Sequence, residues 1–150
     1  MTPGELCLDA NIFIEAMVPG GGDQDAALEV LKVVHENDIA LYEPAVVVFE
    51  TASAFHRKVL LGELTPEECD RLSDLFFQLP LLLQWQSSLL KKSAKLAAEL
   101  SLPRLSDCAY LALASMREIP LVTLDEDLIK KGRKVYGRVQ SPAAFLLSIR

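Results

Sequence analysis

The 150-residue sequence predicts an α/β fold in which a central parallel sheet of about five strands carries helices on both faces. Short apolar segments alternate with helical segments along the chain, and this alternation is typical of parallel sheets with helical crossovers. The length suits one domain with a substantial core, and no linker or internal repeat divides the chain. We therefore expect residues 1–150 to form a single domain.

Five segments have the short apolar character of buried strands. The first ends at Asp9, and the second is closed by Glu43 and Pro44. The predicted strands are Glu5–Leu8, Ile39–Tyr42, Leu81–Trp85, Leu121–Leu124 and Tyr136–Val139.

Capping residues, prolines and glycines mark the helices between these strands. Thr65-Pro66 and Ser141-Pro142 each place a capping side chain before a proline, which suits the first helical position. Ser106 is expected to cap the helix before the fourth strand. The predicted helices are Ile12–Met17, one from Asp23 or Asp25 to Asn37, Val46–Leu61, Thr65 to about Gln78, Ser87 or Ser88 to about Leu100, Asp107–Met116, Asp125–Lys131 and one beginning at Ser141-Pro142.

The composition excludes several classes of protein. Three cysteines (Cys7, Cys69, Cys108) without CxxC spacing and only two histidines argue against a disulfide framework or a zinc ribbon, so a bound metal would be held by oxygen atoms. No apolar stretch approaches the roughly 20 residues of a membrane span. The first residues lack the basic charge of a signal peptide. We expect a cytoplasmic protein without a membrane partner.

The net charge of −6 is unevenly distributed. Residues 85–150 hold more basic than acidic side chains, whereas residues 1–84 are strongly acidic. The overall sign argues against a protein that coats nucleic acid through a basic face. A local basic cluster could still contact a phosphate backbone, or it could be a solvated helix end. The cluster comprises Lys130, Lys131, Arg133, Lys134 and Arg138.

Four acidic residues lie near predicted strand ends or helix starts. Asp9 and Asp125 directly follow the first and fourth strands, and Asp107 and Glu50 lie near the starts of helices. An acid at a helix start is often only a cap, which would explain Asp107 and Asp125 singly. Asp9 and Glu50 are flanked by apolar residues, where an unpaired charge is costly. Clustered carboxylates repel one another unless a cation intervenes, and Mg²⁺ and Mn²⁺ prefer oxygen ligands.

Four motifs in order resemble those of PIN-domain ribonucleases, the fold of the VapC toxins. They span nearly the whole chain and are more specific together than singly. The motifs are LDANIFIEA (Leu8–Ala16), EPAVVVFETASAF (Glu43–Phe55), LPRLSDCAYLALA (Leu102–Ala114) and LVTLDEDL (Leu121–Leu128).

The resemblance implies a PIN-like three-layer α/β/α sandwich and a metal-dependent endoribonuclease with a two-metal mechanism. It implies that Mg²⁺ or Mn²⁺ is bound by catalytic acids, namely Asp9, Glu50, Asp107 and Asp125. Asp127 would support the second metal or be a solvated acid. Asn11 and Thr123 would orient a carboxylate, water or phosphate. The family also implies a homodimer and inhibition by an antitoxin protein.

Four further features of the sequence bear on the site. Arg57 returns to the helix face of Glu50 after seven residues and is expected to contact substrate phosphate or pair with an acid, whereas His56 is not. Ala10 stands where the family often has Thr, which is expected to cost little. The Gly20–Gly22 insertion is expected to be a surface turn rather than a mobile substrate loop. Trp85 is expected in the core or at a subunit interface.

Two other functions remain open at this point. Asp9-Ala10-Asn11 resembles the opening of haloacid dehalogenase-type phosphatases, which use an aspartate nucleophile. Asn11 stands where their acid/base Asp belongs, and that substitution removes the proton shuttle. The second alternative is a non-catalytic PIN-like binding module whose acids serve only as helix caps.

Overall fold

A computed structural model describes all 150 residues and has the predicted five-stranded parallel sheet. The strands are β1 Glu5–Leu8, β2 Ala40–Pro44, β3 Leu81–Gln84, β4 Leu121–Val122 and β5 Val139–Gln140. Their order is β3-β2-β1-β4-β5, and every neighbouring pair is parallel. The direction of strand succession reverses between β1 and β4, and ligands of open α/β sheets bind beyond the carboxyl ends of strands at such a point.

Eight helices form two groups around the sheet. In one group α1 contacts α2 and α3, α3 contacts α4, and α2 contacts α8; in the other, α5 packs on α6, which lies against β1, β2 and β4. None of these helices combines the length and apolar character needed to cross a membrane. Their bounds are α1 Ala10–Met17, α2 Gln24–Glu36, α3 Val46–Leu60, α4 Pro66–Phe77, α5 Ser87–Leu100, α6 Leu105–Arg117, α7 Glu126–Gly132 and α8 Pro142–Ser148.

The central strands of the sheet are buried on both faces. The side chains of β1 and β4 are fully buried from Leu6 to Leu8 and from Leu121 to Val122, as expected for parallel strands with near-continuous apolar runs. Tyr110 on α6 and Phe13 on α1 are the largest fully buried side chains. Because β1 is central, the residue that follows it is held by neighbours on every side.

The predicted fifth strand is displaced and the fourth is shortened in the structure. Tyr136 donates its backbone N–H to the carbonyl of Gly132, so the turn after α7 continues through the segment predicted as strand. The strand begins only at Val139. Thr123 still donates its backbone N–H to the carbonyl of Gln140, and the backbone leaves the ladder at Leu124, whose N–H bonds the side chain of Asn11.

The predicted cap of α6 is wrong. The helix begins at Leu105, with Arg104 in an extended conformation at the N-cap position and no side-chain cap. Ser106 therefore lies within the first turn and does not cap the helix. The capping box at Thr65 and the cap at Ser141 are both present as predicted.

The Gly20–Gly22 segment forms a turn between α1 and α2. Gly20 has a φ of +98°, which favours glycine. A Cβ on Gly21 would lie 1.8 Å from Oε1 of Glu15, and the same carboxylate oxygen accepts the N–H of Asp23 at 3.2 Å. The side chain of Glu15 thus closes the turn from inside.

The three cysteines differ in their burial. All three are free; Cys7 and Cys108 are buried, and Cys69 is half-buried. Burial raises the pKa of Cys7 well above its ordinary value and that of Cys108 to about 11. These two thiols therefore stay protonated at neutral pH, as small core side chains do.

Candidate active site

The structure gathers the four candidate acids around one cavity of about 380 Å³ at the carboxyl edge of the sheet. Asp9 follows β1 and precedes α1, and Glu50 lies in the second turn of α3. Asp107 lies in the first turn of α6, and Asp125 is the N-cap of α7. Asp127, Asn11 and Arg57 line the same cavity. Residues from four separate segments thus meet where the strand order reverses.

Asp9 is held by a polar network that joins the ends of β1 and β4. Its Oδ2 accepts the hydroxyl of Thr123 at 2.8 Å. Asn11 bonds Thr123 Oγ1 through Nδ2 at 3.3 Å and accepts the N–H of Leu124 through Oδ1 at 3.2 Å. Thr123 therefore contacts Asp9 directly, and the side chain of Asn11 contacts it only through Thr123.

Burial is the main influence on the ionisation of Asp9. The side chain is only 6% exposed, and burial together with the charges of Glu50 and Asp107 raises its pKa to about 7. The hydrogen bond from Thr123 acts in the opposite direction. No basic side chain forms a salt bridge with Asp9. Asp9 is thus a carboxylate that a cation would stabilise.

Glu50 is fixed by a tyrosine that the sequence analysis did not identify. The hydroxyl of Tyr110, from α6, donates to Oε1 of Glu50 at 2.5 Å. Tyr110 is fully buried and lies three residues after Asp107, hence on the same side of the helix. That spacing was the signal in the sequence that could have identified it.

Asp107 is half-buried, and its surroundings disfavour the charged carboxylate. Burial, Glu50 and Asp125 raise its pKa, and Arg104 lowers it. Arg104 lines the cavity and was likewise not identified from the sequence. Arg104 immediately precedes α6, so its positively charged guanidinium group lies beside the carboxylates of the cavity.

Asp125 and Asp127 have contacts that fit helix capping as well as metal binding. Oδ1 of Asp125 accepts the N–H groups of Asp127 and Leu128, so Asp125 caps α7. Asp127 forms a 3.3 Å ion pair with Lys131, and its side chain is 59% exposed. Asp125 keeps its other carboxylate oxygen free, whereas Asp127 is the more weakly held of the two.

The basic side chains differ in their availability to a ligand. Arg57 lines the cavity and His56 does not, as the helical spacing predicted. Within the basic cluster, Arg133 bonds the carbonyl of Val139 and Arg138 bonds that of Glu118. Lys131 pairs with Asp127. Only Lys130 and Lys134 of that cluster have no such contact, so much of it serves the fold.

A sixth acid, Glu43, does not line the cavity but lies close enough to Asp9 for their charges to interact. It is fully buried at the end of β2, where its Oε1 accepts the N–H of Leu8 at 2.7 Å and its Oε2 lies 3.7 Å from Sγ of Cys7. Burial, with a contribution from Asp9, raises the pKa of Glu43 well above its ordinary value. A charged residue within a buried strand was the available signal in the sequence.

The side chains around the cavity suit a hard divalent cation in kind. Five of the 12 lining residues are carboxylates, which supply the oxygen ligands that Mg²⁺ and Mn²⁺ prefer, and Asp9 is buried without a basic partner. In the structure no group of three or more Asp, Glu, His or Cys side chains is arranged to hold a metal ion.

A separate apolar groove lies between α3, β3, α5 and α6. Its volume is about 290 Å³, and no charged side chain lines it. Trp85 stands on its rim with 87% of its surface exposed, so it is not a core residue. Leu90 and Leu105, which also line the groove, are exposed as well.

Comparison with known proteins places these features in a family. The sequence model of the PIN domain matches residues 6–134. That range contains all of the acids that line the cavity. A search of curated protein sequences found no match.

Solved structures with the same fold include three from different organisms. PAE2754 from Pyrobaculum aerophilum is 18% identical, covers 97% of this chain and 88% of its own, and superposes with a TM-score of 0.70. VapBC2 from Rickettsia felis, bound to a promoter DNA fragment, is 15% identical with 91% and 98% coverage and a TM-score of 0.67. VapC20 from Mycobacterium tuberculosis, a sarcin-ricin loop cleaving toxin, is 10% identical with 87% and 95% coverage and a TM-score of 0.66. At these identities the likeness shows a shared fold.

Proposed function

The chain belongs to the PIN domain family of nucleases, and we propose that it is a metal-dependent endoribonuclease that hydrolyses RNA phosphodiester bonds at the acidic cavity. The observation that carries this proposal is the convergence of Asp9, Glu50, Asp107 and Asp125 on one cavity at the reversal of strand order. Acids that served only as caps would not need to meet.

The four carboxylates would hold Mg²⁺ or Mn²⁺, with Asp127 as a support for a second ion. Bound divalent ions supply charge neutralisation and lower the pKa of an attacking water, as in two-metal phosphoryl chemistry. They would also reverse the charge of the cavity, which reconciles an acidic site with an anionic substrate.

The chain's own residues orient these groups and the substrate. Thr123 and Asn11 hold Asp9, and Tyr110 holds Glu50. Arg57 and Arg104 line the cavity without a salt bridge to any carboxylate, which leaves both guanidinium groups free to bind phosphate oxygens. In this role they would hold the RNA backbone across the carboxylates.

The proposal extends to a VapC-like toxin of the cytoplasm that is inhibited by a cognate antitoxin and forms a homodimer. A structure of the same fold from Klebsiella pneumoniae is a toxin–antitoxin complex, which supports the antitoxin. The uncharged groove beside Trp85 supports the dimer, because an exposed aromatic next to an apolar groove can pair with itself across a two-fold axis. Sedimentation of Trp85→Ala beside wild type tests this, with Phe77→Ala as an exposed aromatic control outside the groove.

Cleavage of labelled RNA tests the proposed activity. The protein is incubated with single-stranded RNA in Mn²⁺, in Mg²⁺ and in EDTA, beside a single-stranded DNA of the same sequence. We expect internal cuts in RNA that EDTA abolishes and added metal restores. Metal-independent cutting, or cutting of DNA alone, would contradict the proposal.

A further inference from the structure

We propose that Tyr110 is a positioning residue of the active site, whose hydroxyl holds the Glu50 carboxylate in the orientation that binds the divalent cation. This inference rests on the proposed function and deepens it, because it assigns a role within the same site. Tyr110 itself does not line the cavity, so it acts only through Glu50.

The contact between Tyr110 and Glu50 is directional. The phenol donates to Oε1 at 2.5 Å, and Oε2 of Glu50 has no hydrogen-bond partner in the protein. One oxygen is therefore fixed by the fold, and the other is free for a ligand in the cavity that Glu50 lines. Outer-shell hydrogen bonds of this kind orient metal-binding carboxylates and raise metal affinity.

The hydroxyl of Tyr110 is itself rigidly placed. Its ring is fully buried in the core, and its backbone carbonyl lies 3.9 Å from Sγ of Cys7 on β1. The bond to Glu50 thus connects α6, which carries Asp107, with α3. Two acids from different helices are held at a fixed separation by one side chain.

The phenol hydroxyl has Oε1 of Glu50 as its only hydrogen-bond partner in the protein. Without the phenol, Oε1 would lose its partner, and Glu50 would be free to turn toward solvent. The affinity for the cation should then fall while the carboxylate remains present.

The first test measures Mn²⁺ binding by the electron paramagnetic resonance of free Mn²⁺. We expect Tyr110→Phe to weaken binding by about tenfold, the usual size of an outer-shell effect. Tyr136→Phe is the matched control, because the Tyr136 hydroxyl donates to the carbonyl of Ile119 at 2.7 Å. It should bind Mn²⁺ like wild type. Wild-type affinity in Tyr110→Phe would overturn the inference.

A double variant distinguishes a positioning role of Tyr110 from a general loss of structure. In Glu50→Ala the partner of the phenol is already absent, so adding Tyr110→Phe should cause no further loss of Mn²⁺ affinity. An equal loss in both backgrounds would overturn the inference. High Mn²⁺ should restore the RNA cleavage rate of Tyr110→Phe and not that of Glu50→Ala.

A third measurement needs no substitution at Tyr110 and covers the case in which Tyr110→Phe does not fold. In protein labelled with 3-fluorotyrosine, Mg²⁺ should shift the ¹⁹F resonance of Tyr110 and leave that of Tyr136 in place. An unmoved Tyr110 resonance at saturating Mg²⁺ would contradict the inference. Failure of the wild type to bind metal or cut RNA would instead remove the proposed function, and the inference with it.

Discussion

Thr123 donates its hydroxyl proton to Oδ2 of Asp9 across the gap between β4 and β1, at 2.8 Å. Oγ1 of Thr123 in turn accepts the side-chain amide of Asn11 at 3.3 Å and the backbone N–H of Asp125 at 3.0 Å. These two bonds occupy both lone pairs of the Thr123 hydroxyl, and its proton is used in the bond to Asp9. Two acids from different segments are thus connected through one buried threonine.

Replacing Thr123 with Val should therefore weaken the metal site without changing its ligands. We expect about a tenfold loss of Mn²⁺ affinity, because Asp9 loses the bond that orients it. The pH profile of metal binding should also move upward, since that bond lowers the pKa of Asp9. Isothermal titration calorimetry at several pH values measures both effects. Thr123→Ser keeps the hydroxyl and is the control, and equal losses in the two variants would contradict this role.

The raised pKa of Asp9 predicts that metal affinity depends on pH. A carboxyl with a pKa of about 7 is mostly protonated at pH 6 and mostly ionised at pH 8. The proton must leave before a cation binds, so the apparent affinity for Mn²⁺ should rise about tenfold between these values. Calorimetry in buffers of different ionisation enthalpy should show proton release at pH 6 that disappears by pH 8. A flat profile would show that Asp9 is not a ligand with this pKa.

Glu43 predicts a pH dependence of stability that is independent of activity. Its raised pKa means that the folded state favours the neutral acid, so its stabilisation is complete below the ordinary value of 4.5 and is lost as pH rises above it. Glu43→Gln stays neutral and keeps an acceptor for the N–H of Leu8. The Tm of this variant should rise relative to wild type from pH 5 to pH 8. Glu36→Gln, on the exposed end of α2, is the control, and a pH-independent difference at Glu43 would refute the prediction.

The two arginines of the cavity should contribute to substrate binding rather than to metal binding. Arg57→Ala and Arg104→Ala should each raise the KM for RNA several-fold and reduce the salt dependence of binding by about one phosphate contact. Mn²⁺ affinity should change much less. Fluorescence anisotropy of labelled RNA over a range of salt concentrations measures the slope. Lys91→Ala, an exposed change on α5, should leave it unchanged, and equal slopes in all variants would exclude the proposed phosphate contacts.

The sequence was sufficient to predict the fold because its pattern is locally consistent. The strand that ends before Asp9 and the helix that begins after Thr65 each have their own boundary signals. β5 was misplaced because Tyr136 serves the turn after α7 and bonds the carbonyl of Ile119, a contact 17 residues away. A local apolar pattern in the sequence does not reveal such a long-range hydrogen bond.

The candidate site was only partly predictable for the same reason. Asp9 and Asp125 follow strands, and parallel topology brings strand ends to one edge. Tyr110 and Glu43 act through contacts that span 60 and 35 residues, so their local signals in the sequence do not show which groups they contact. Trp85 is exposed because it lies in the short connection between the end of β3 and the start of α5, which its apolar neighbours in the sequence do not reveal.

RNA cleavage by wild type, Asp9→Asn and Asp127→Asn in Mn²⁺ tests most directly whether the acidic cavity is the active site. Asp9 is buried in the network of Thr123, whereas Asp127 is exposed and paired with Lys131. We predict that Asp9→Asn abolishes cleavage and that Asp127→Asn retains most of it, with both variants folded by circular dichroism. Full activity in Asp9→Asn would contradict the assignment of the acidic cavity as the active site.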